Sequence, residues 1–147
     1  MSRAFDSDNF LQAAGDAIIA AAPDGKIVFW NAAAERIFGH STSQALGQSL
    51  DLIIPERFRE RHWLGYRRVM ESGQTRYGAD VLRVPAIHKD GRALSIAFTV
   101  TPLYSPDCRI ETIVAVVRDE TRRWQEEQAL RKRIAELESD RSRVENR

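Results

Sequence analysis

The chain has one cysteine, Cys108, in 147 residues. A single thiol closes no intrachain disulfide and builds no cysteine-based zinc site, which fits a reducing interior. Charge of either sign is not in excess: 22 Lys and Arg against 21 Asp and Glu leave a formal net charge of +1. That balance gives no electrostatic footing for nucleic acid or for an anionic membrane surface, and neither partner is expected. No run approaches the roughly 20 apolar residues that span a bilayer. The opening MSRAFDSDNF is polar and acidic and lacks a signal peptide's apolar core. A cytoplasmic protein is expected. Catalytic motifs are missing too: there is no GxSxG, Walker A, HExxH or carboxylate pair. His40, His62 and His88 lie far apart in the chain. The expectation is a non-enzyme whose output lies in another protein or in a longer chain.

Apolar residues make up 43% and charged residues 29%, which suits one domain with a helical extension. Residues 6–15, DSDNFLQAAG, predict a short helix capped by Asp6, Ser7 or Asp8, with Phe10, Leu11 and Ala14 on its apolar side. AIIAAA, the turn PDGK and IVFWN predict a β-hairpin. AAAERIFG is a short helix ended by Gly39. Ser41 and Gln44 have capping-box spacing and open another short helix. Residues 50–54 lead to Pro55, which suits the first turn of a long helix, ERFRERHWLGYRRVMESG. A strand is expected over about 76–87, then a turn at HKDGR. ALSIAFTVTPL alternates, with Leu94, Ile96, Phe98 and Val100 on one face and Ser95, Ala97 and Thr99 on the other. A loop, YSPDCR, and a final strand, IETIVAVVRD, follow. Residues 119–147 hold no Gly or Pro, and eight acidic and eight basic side chains. Leu130, Leu137 and Val144 recur every seven residues with Ile134 between, the seam of a coiled coil that Arg141 weakens.

This order, and the stretches DAIIAAAPDGKIVFWNAAAERIFGHS, ALGQSLDLIIPERFRERH, HKDGRALSIAFTV and IVAVVRDETRR, resemble a PAS domain. The likeness covers about residues 10–122. It implies an α+β fold with a five-stranded antiparallel sheet in the order 2-1-5-4-3 and short helices over one face. An N-terminal helix and a C-terminal signalling helix complete it. The expected divisions are a tail at 1–8, the domain at 8–120 and a coiled-coil-like helix at 121–147. The resemblance implies a sensory or interaction module, usually a homodimer, holding a small ligand or cofactor between helices and sheet. It also implies a relay through Asp119, Glu120 and Thr121 to an unidentified signalling protein. A ligand-free docking scaffold is the alternative.

Candidate cleft residues are Phe58, His62, Tyr66, Val81, Arg83, Ile96, Phe98 and Val114. Helical spacing puts Phe58, His62 and Tyr66 on one face, away from Arg57, Arg61 and Arg68. A neutral imidazole suits iron, and the domain is similar to oxygen-sensing haem PAS domains, in which a proximal histidine sits on this helix. His62 matches that position when the helices are aligned through Glu71, so haem with His62 as iron ligand stays open beside a local packing role. The distal arginine of those sensors has no clear counterpart, although Arg83 is near. Cys108 sits in a loop, unlike the helix cysteine of flavin photoreceptors. Phe29, Trp30, Phe38, Trp63, Tyr66 and Phe98 read first as core. Asn31 is expected to bond backbone in the helices after it. The five arginines between 56 and 68 read as a solvated face.

Overall fold

A computed structural model describes residues 4–75 and 79–146. The chain opens with helix α1, Ser7–Ala13, and the hairpin of β1, Ala17–Ala21, and β2, Ile27–Trp30. Helices α2, Ala32–Phe38, and α3, Thr42–Ala45, follow; a 3-10 turn at Leu50–Ile53 then leads to the long α4, Glu56–Ser72. Strands β3, Leu82–Ile87, β4, Ala93–Tyr104, and β5, Ile110–Asp119, run into α5, Thr121–Glu145. The strands form one sheet in the order β2-β1-β5-β4-β3, and all its pairings are antiparallel. This is the α+β architecture and strand order that the resemblance implies.

Local signals account for the element ends. Asp6 caps α1 by accepting the Asn9 N–H at 3.0 Å. Asp24 accepts the Lys26 N–H at 3.0 Å, and Gly25 takes φ +83°, a conformation that favours glycine. Ser41 and Gln44 close the capping box of α3. Gly39 and Gly73 end α2 and α4 in the left-handed conformation. The expected strand over 76–87 is shorter in the structure. Its residues 76–78 lie outside the described residues, Ala79 sits in a turn, and pairing begins only where Leu82 meets Phe98. β3 is an edge strand, which tolerates Pro85 in its ladder.

Register assigns the faces. Ala17, Ile19, Leu94, Ile96 and Val117 point inward and join Trp30, Ala33, Ala34, Phe38, Ala45 and Ile53 in one core. Trp30 and Phe38 pack with ring centroids 5.6 Å apart, and the Trp30 indole N–H donates to the His40 carbonyl at 3.0 Å. Asn31 is fully buried. Its Oδ1 accepts the N–H of Ala34 at 3.0 Å, capping α2, and that of Ile18 at 2.9 Å. Its Nδ2 donates to the carbonyls of Leu11 and Asp16. The expected role of Asn31 was confined to the helices after it. In the structure it also ties α1 and the start of β1 to that helix, and so closes the N-terminal half of the fold.

Candidate functional site

Helix α4 buries only one residue, Tyr66. Polar bonds hold it at its edges instead. The Trp63 indole N–H donates to the Asp51 carboxylate at 2.7 Å, and the Tyr66 hydroxyl donates to the Ala22 carbonyl at 2.6 Å. Gly25 lets the Trp63 ring approach the hairpin turn, because a Cβ there would collide with it. Arg59 donates to the carbonyls of Ile54, at 3.0 Å, and Asp51, at 3.3 Å. At the far end the Tyr104 hydroxyl donates to the Gly73 carbonyl at 2.9 Å. The helix therefore bridges from the β1–β2 turn to the far end of β4. Between those anchors register places the inward residues Val100, Pro102, Ile113 and Ala115, each only half-buried. On α4, Phe58, His62, Val69 and Met70 are half-buried as well.

His62 stands out chemically. Its Nδ1 is buried and has no hydrogen-bond partner. The ring lies edge-on to Trp63, centroids 4.7 Å apart, and 5.8 Å from that of Tyr66. Burial pulls its pKa below the usual histidine value, against the opposing pull of the Asp51 carboxylate. At neutral pH the imidazole is uncharged. Burial, and then the nearby Asp24 carboxylate, push Tyr66 up to about 12, so its hydroxyl stays a donor.

The candidate residues divide. Phe58, His62 and Tyr66 share α4, while Ile96 and Phe98 lie on the inward sheet face, Ile96 deep in the core. Three others are not brought there. Val114 pairs with Thr101 and Ala20, which places it on the opposite face from Ala115 and Val117. Arg83 pairs with Ala97 on that outer face and reaches Glu120, with Nε 3.3 Å from the carboxylate. Val81 precedes β3 and is 51% exposed. A slip of one residue in strand parity moves a side chain to the other face. Asp51 and Arg59, which fasten α4, were not singled out; Arg59 belonged to the supposed solvated run. Among the described residues no cluster of three or more His, Cys, Asp or Glu is placed to hold a metal ion, and no helix is long and apolar enough to cross a membrane.

A family model described as the PAS fold matches residues 6–119. The chain belongs to the PAS family. Domains of this family are typically sensory or signalling modules. An uncharacterized protein of Azorhizobium caulinodans is 35% identical over 86 residues, which are 58% of this chain and 12% of that protein. This chain therefore matches only a small part of that relative's length. The crystal structure of a PAS domain from a Colwellia psychrerythraea protein has a TM-score of 0.69 at 23% identity, covering 78% of this chain and 94% of that one. An RNA-binding light-oxygen-voltage receptor has a TM-score of 0.70 at 22% identity, covering 92% of this chain and 40% of that one. These likenesses establish the PAS fold.

In this PAS domain Cys108 is exposed in the β4–β5 turn, at φ +62°, on neither α4 nor the sheet. The junction with α5 is densely bonded. Asp119 accepts from both the backbone N–H, at 2.9 Å, and the hydroxyl of Thr121. The Thr121 hydroxyl oxygen accepts the Ser95 N–H at 3.0 Å, and the Glu120 N–H donates to the Ser95 carbonyl at 2.8 Å. The first turn of α5 is thereby tied to β4, and through Glu120 to Arg83 on β3.

Proposed function

We propose that this PAS domain is a sensory module that takes a small ligand between α4 and the sheet. The change passes through Asp119 and Thr121 to α5 and on to a signalling partner. One observation carries the reading: a 17-residue helix with a single buried residue, pinned by polar bonds at its edges above an incompletely covered apolar floor. An element with so little buried apolar area moves at low cost. A ligand taken there is small and largely apolar, and meeting the buried, unpartnered His62 nitrogen requires α4 to shift. The route outward is short. Phe98 on the inward sheet face pairs with Val117, and Ile96 pairs with Asp119, the residue that caps the Thr121 junction. A tilt of β4 against β5 under a filled cleft would reach the first turn of α5 directly. The module does no catalysis in this reading.

The unpartnered nitrogen also keeps a haem reading in view. The donor suits iron; the surroundings do not. The His62 ring packs edge-on against Trp63 and tilted beside Tyr66, and Tyr66 is bonded to the hairpin, so a haem would need α4 to swing away. We assign no step to it. The test is to purify the protein, compare its mass under native and denaturing conditions, and then titrate it with hemin. A co-purifying small molecule supports the sensory reading. A Soret band lost in His62→Ala would install the haem sensor instead. A bare mass with no spectral change would leave a ligand-free docking scaffold.

A further inference from the structure

Helix α4 turns Phe58, His62, Tyr66 and Val69 toward the domain. With about 3.6 residues per turn, Arg57, Arg61, Leu64 and Arg68 fall together on the opposite side. All four are exposed, Leu64 at 46%. Left to itself this stripe is poorly made. Arg57 and Arg61 are like charges at i, i+4, which weakens a helix. Neither they nor Arg68 makes an ion pair among the described residues. Helix α5 differs: Arg122, Arg123 and Arg141 each pair with a glutamate at i+4. Gly65 stands beside the stripe in mid-helix, exposed, with no described residue packed within 4 Å of where a Cβ would sit. Glycine weakens a helix interior, and no close approach among the described residues requires it here. One end of the stripe is already fixed, because the Arg57 guanidinium carbon lies 4.7 Å from the centre of the Phe58 ring.

We propose that this face of α4 docks an acidic helical segment of another protein. Carboxylates of that segment meet Arg57, Arg61 and Arg68, and an apolar residue packs on Leu64, where Gly65 lets the second backbone come close. Arginine suits this occupant, because its planar fork takes a carboxylate through two parallel bonds. Three arginines along about 16 Å of helix match carboxylates that recur at helical spacing. Phosphates fit less well. Glu60 and Glu71 are exposed beside the stripe and repel a nucleic-acid backbone or an anionic lipid surface, whereas a partner helix can set a lysine against each. No aromatic side chain of α4 is exposed for a base to stack on. The chain's own α5 is not the occupant: Glu126, Glu127, Glu136, Asp140 and Glu145 are engaged by arginines of that same helix. The inference does not rest on a ligand beneath α4. It gives α4 a partner of its own, on the side that faces away from the sheet.

The test is fluorescence anisotropy of the full chain with a labelled helical peptide that carries glutamates at i, i+4 and i+11 around one leucine. The patterned peptide should bind at physiological salt, and a scrambled peptide of the same composition should bind about tenfold or more weakly. Arg61→Glu should abolish binding, and a peptide with one glutamate exchanged for arginine should recover it. The same variant should keep or raise the urea midpoint, since it replaces the Arg57–Arg61 repulsion with an opposite-charge pair. Lost binding is then not a lost fold. The proposal is overturned if neither peptide binds, if the two bind alike, or if Arg61→Glu leaves binding unchanged. A single-stranded oligonucleotide that binds through Arg61 more tightly than the patterned peptide overturns it too, in favour of nucleic acid. Peptide binding by a protein that takes no small molecule would leave this inference standing and remove the sensory reading; a small-molecule site without peptide binding would do the reverse.

Discussion

Asn31→Ala should unsettle the domain more than any other single truncation of a polar side chain. The amide is fully buried and makes four bonds to backbone in three places. Losing a side-chain cap costs about 1 kcal/mol. The Ile18 N–H is left buried and unpaired, at about 1–3 kcal/mol. The carbonyls of Leu11 and Asp16 lie in partly buried surroundings where water can replace the amide, so their share is small. The sum is about 3 kcal/mol, a large part of the roughly 5–15 kcal/mol that holds a domain together. Urea unfolding followed by circular dichroism reads it directly. With a slope of about 2 kcal/mol per molar, the midpoint should fall by about 1.5 M. Asn31→Asp keeps the oxygens that receive Ile18 and Ala34 but donates only when protonated. Its loss should be smaller at acid than at neutral pH. A midpoint shift under about 0.3 M for Asn31→Ala would refute the accounting.

Gly25→Ala places a side chain at φ +83° and against the Trp63 ring. The backbone alone should cost about 1–2 kcal/mol, and amide exchange in α4 should quicken as Trp63 is displaced. Tyr66→Phe should cost at most about 1 kcal/mol, since the Ala22 carbonyl still accepts the Gly25 N–H; a larger loss in chemical denaturation would count against that. The pKa of Tyr66 is raised from 10.0 to about 12, so the stability it contributes is complete below about 10 and lost as pH rises toward 12. Ultraviolet titration of the native protein should show a tyrosine ionising at about 12 that disappears in Tyr66→Phe. Thr121→Val removes the oxygen that accepts the Ser95 N–H. It should leave the sheet intact by circular dichroism while exchange at Ser95 and in the first turn of α5 rises.

Much of the fold was legible because its punctuation is local. Asp6, Ser41 with Gln44, Gly39 and Gly73 each mark an element end by their own chemistry, and each marks it in the structure. The alternation in β4 also held, because a sheet with one covered face writes its parity into the sequence. The site was harder to read. The run ITIVAVV in β5 is apolar at most positions, so it cannot say which residues face inward, and Val114 was assigned to the wrong side. In β3 the register pairs Arg83 with Ala97, which puts it on the outer face with Glu120. The fastening of α4 was invisible for another reason. Asp51 lies 12 residues from Trp63 and Ala22 lies 44 from Tyr66, and only the folded hairpin and 3-10 turn bring them together. The inward face of Phe58, His62 and Tyr66 could be read from helical spacing alone, but not that His62 would lack a partner.

The central claim is that the space between α4 and the sheet admits a small molecule. Nuclear magnetic resonance of the isotope-labelled chain, titrated with a library of small, largely apolar fragments, tests it most directly. The expected result is a set of shifts clustered at Phe58, His62, Tyr66, Phe98 and Val100, and abolished when Val100→Trp fills the floor. Shifts scattered over the surface, or the same shifts surviving in Val100→Trp, would contradict it.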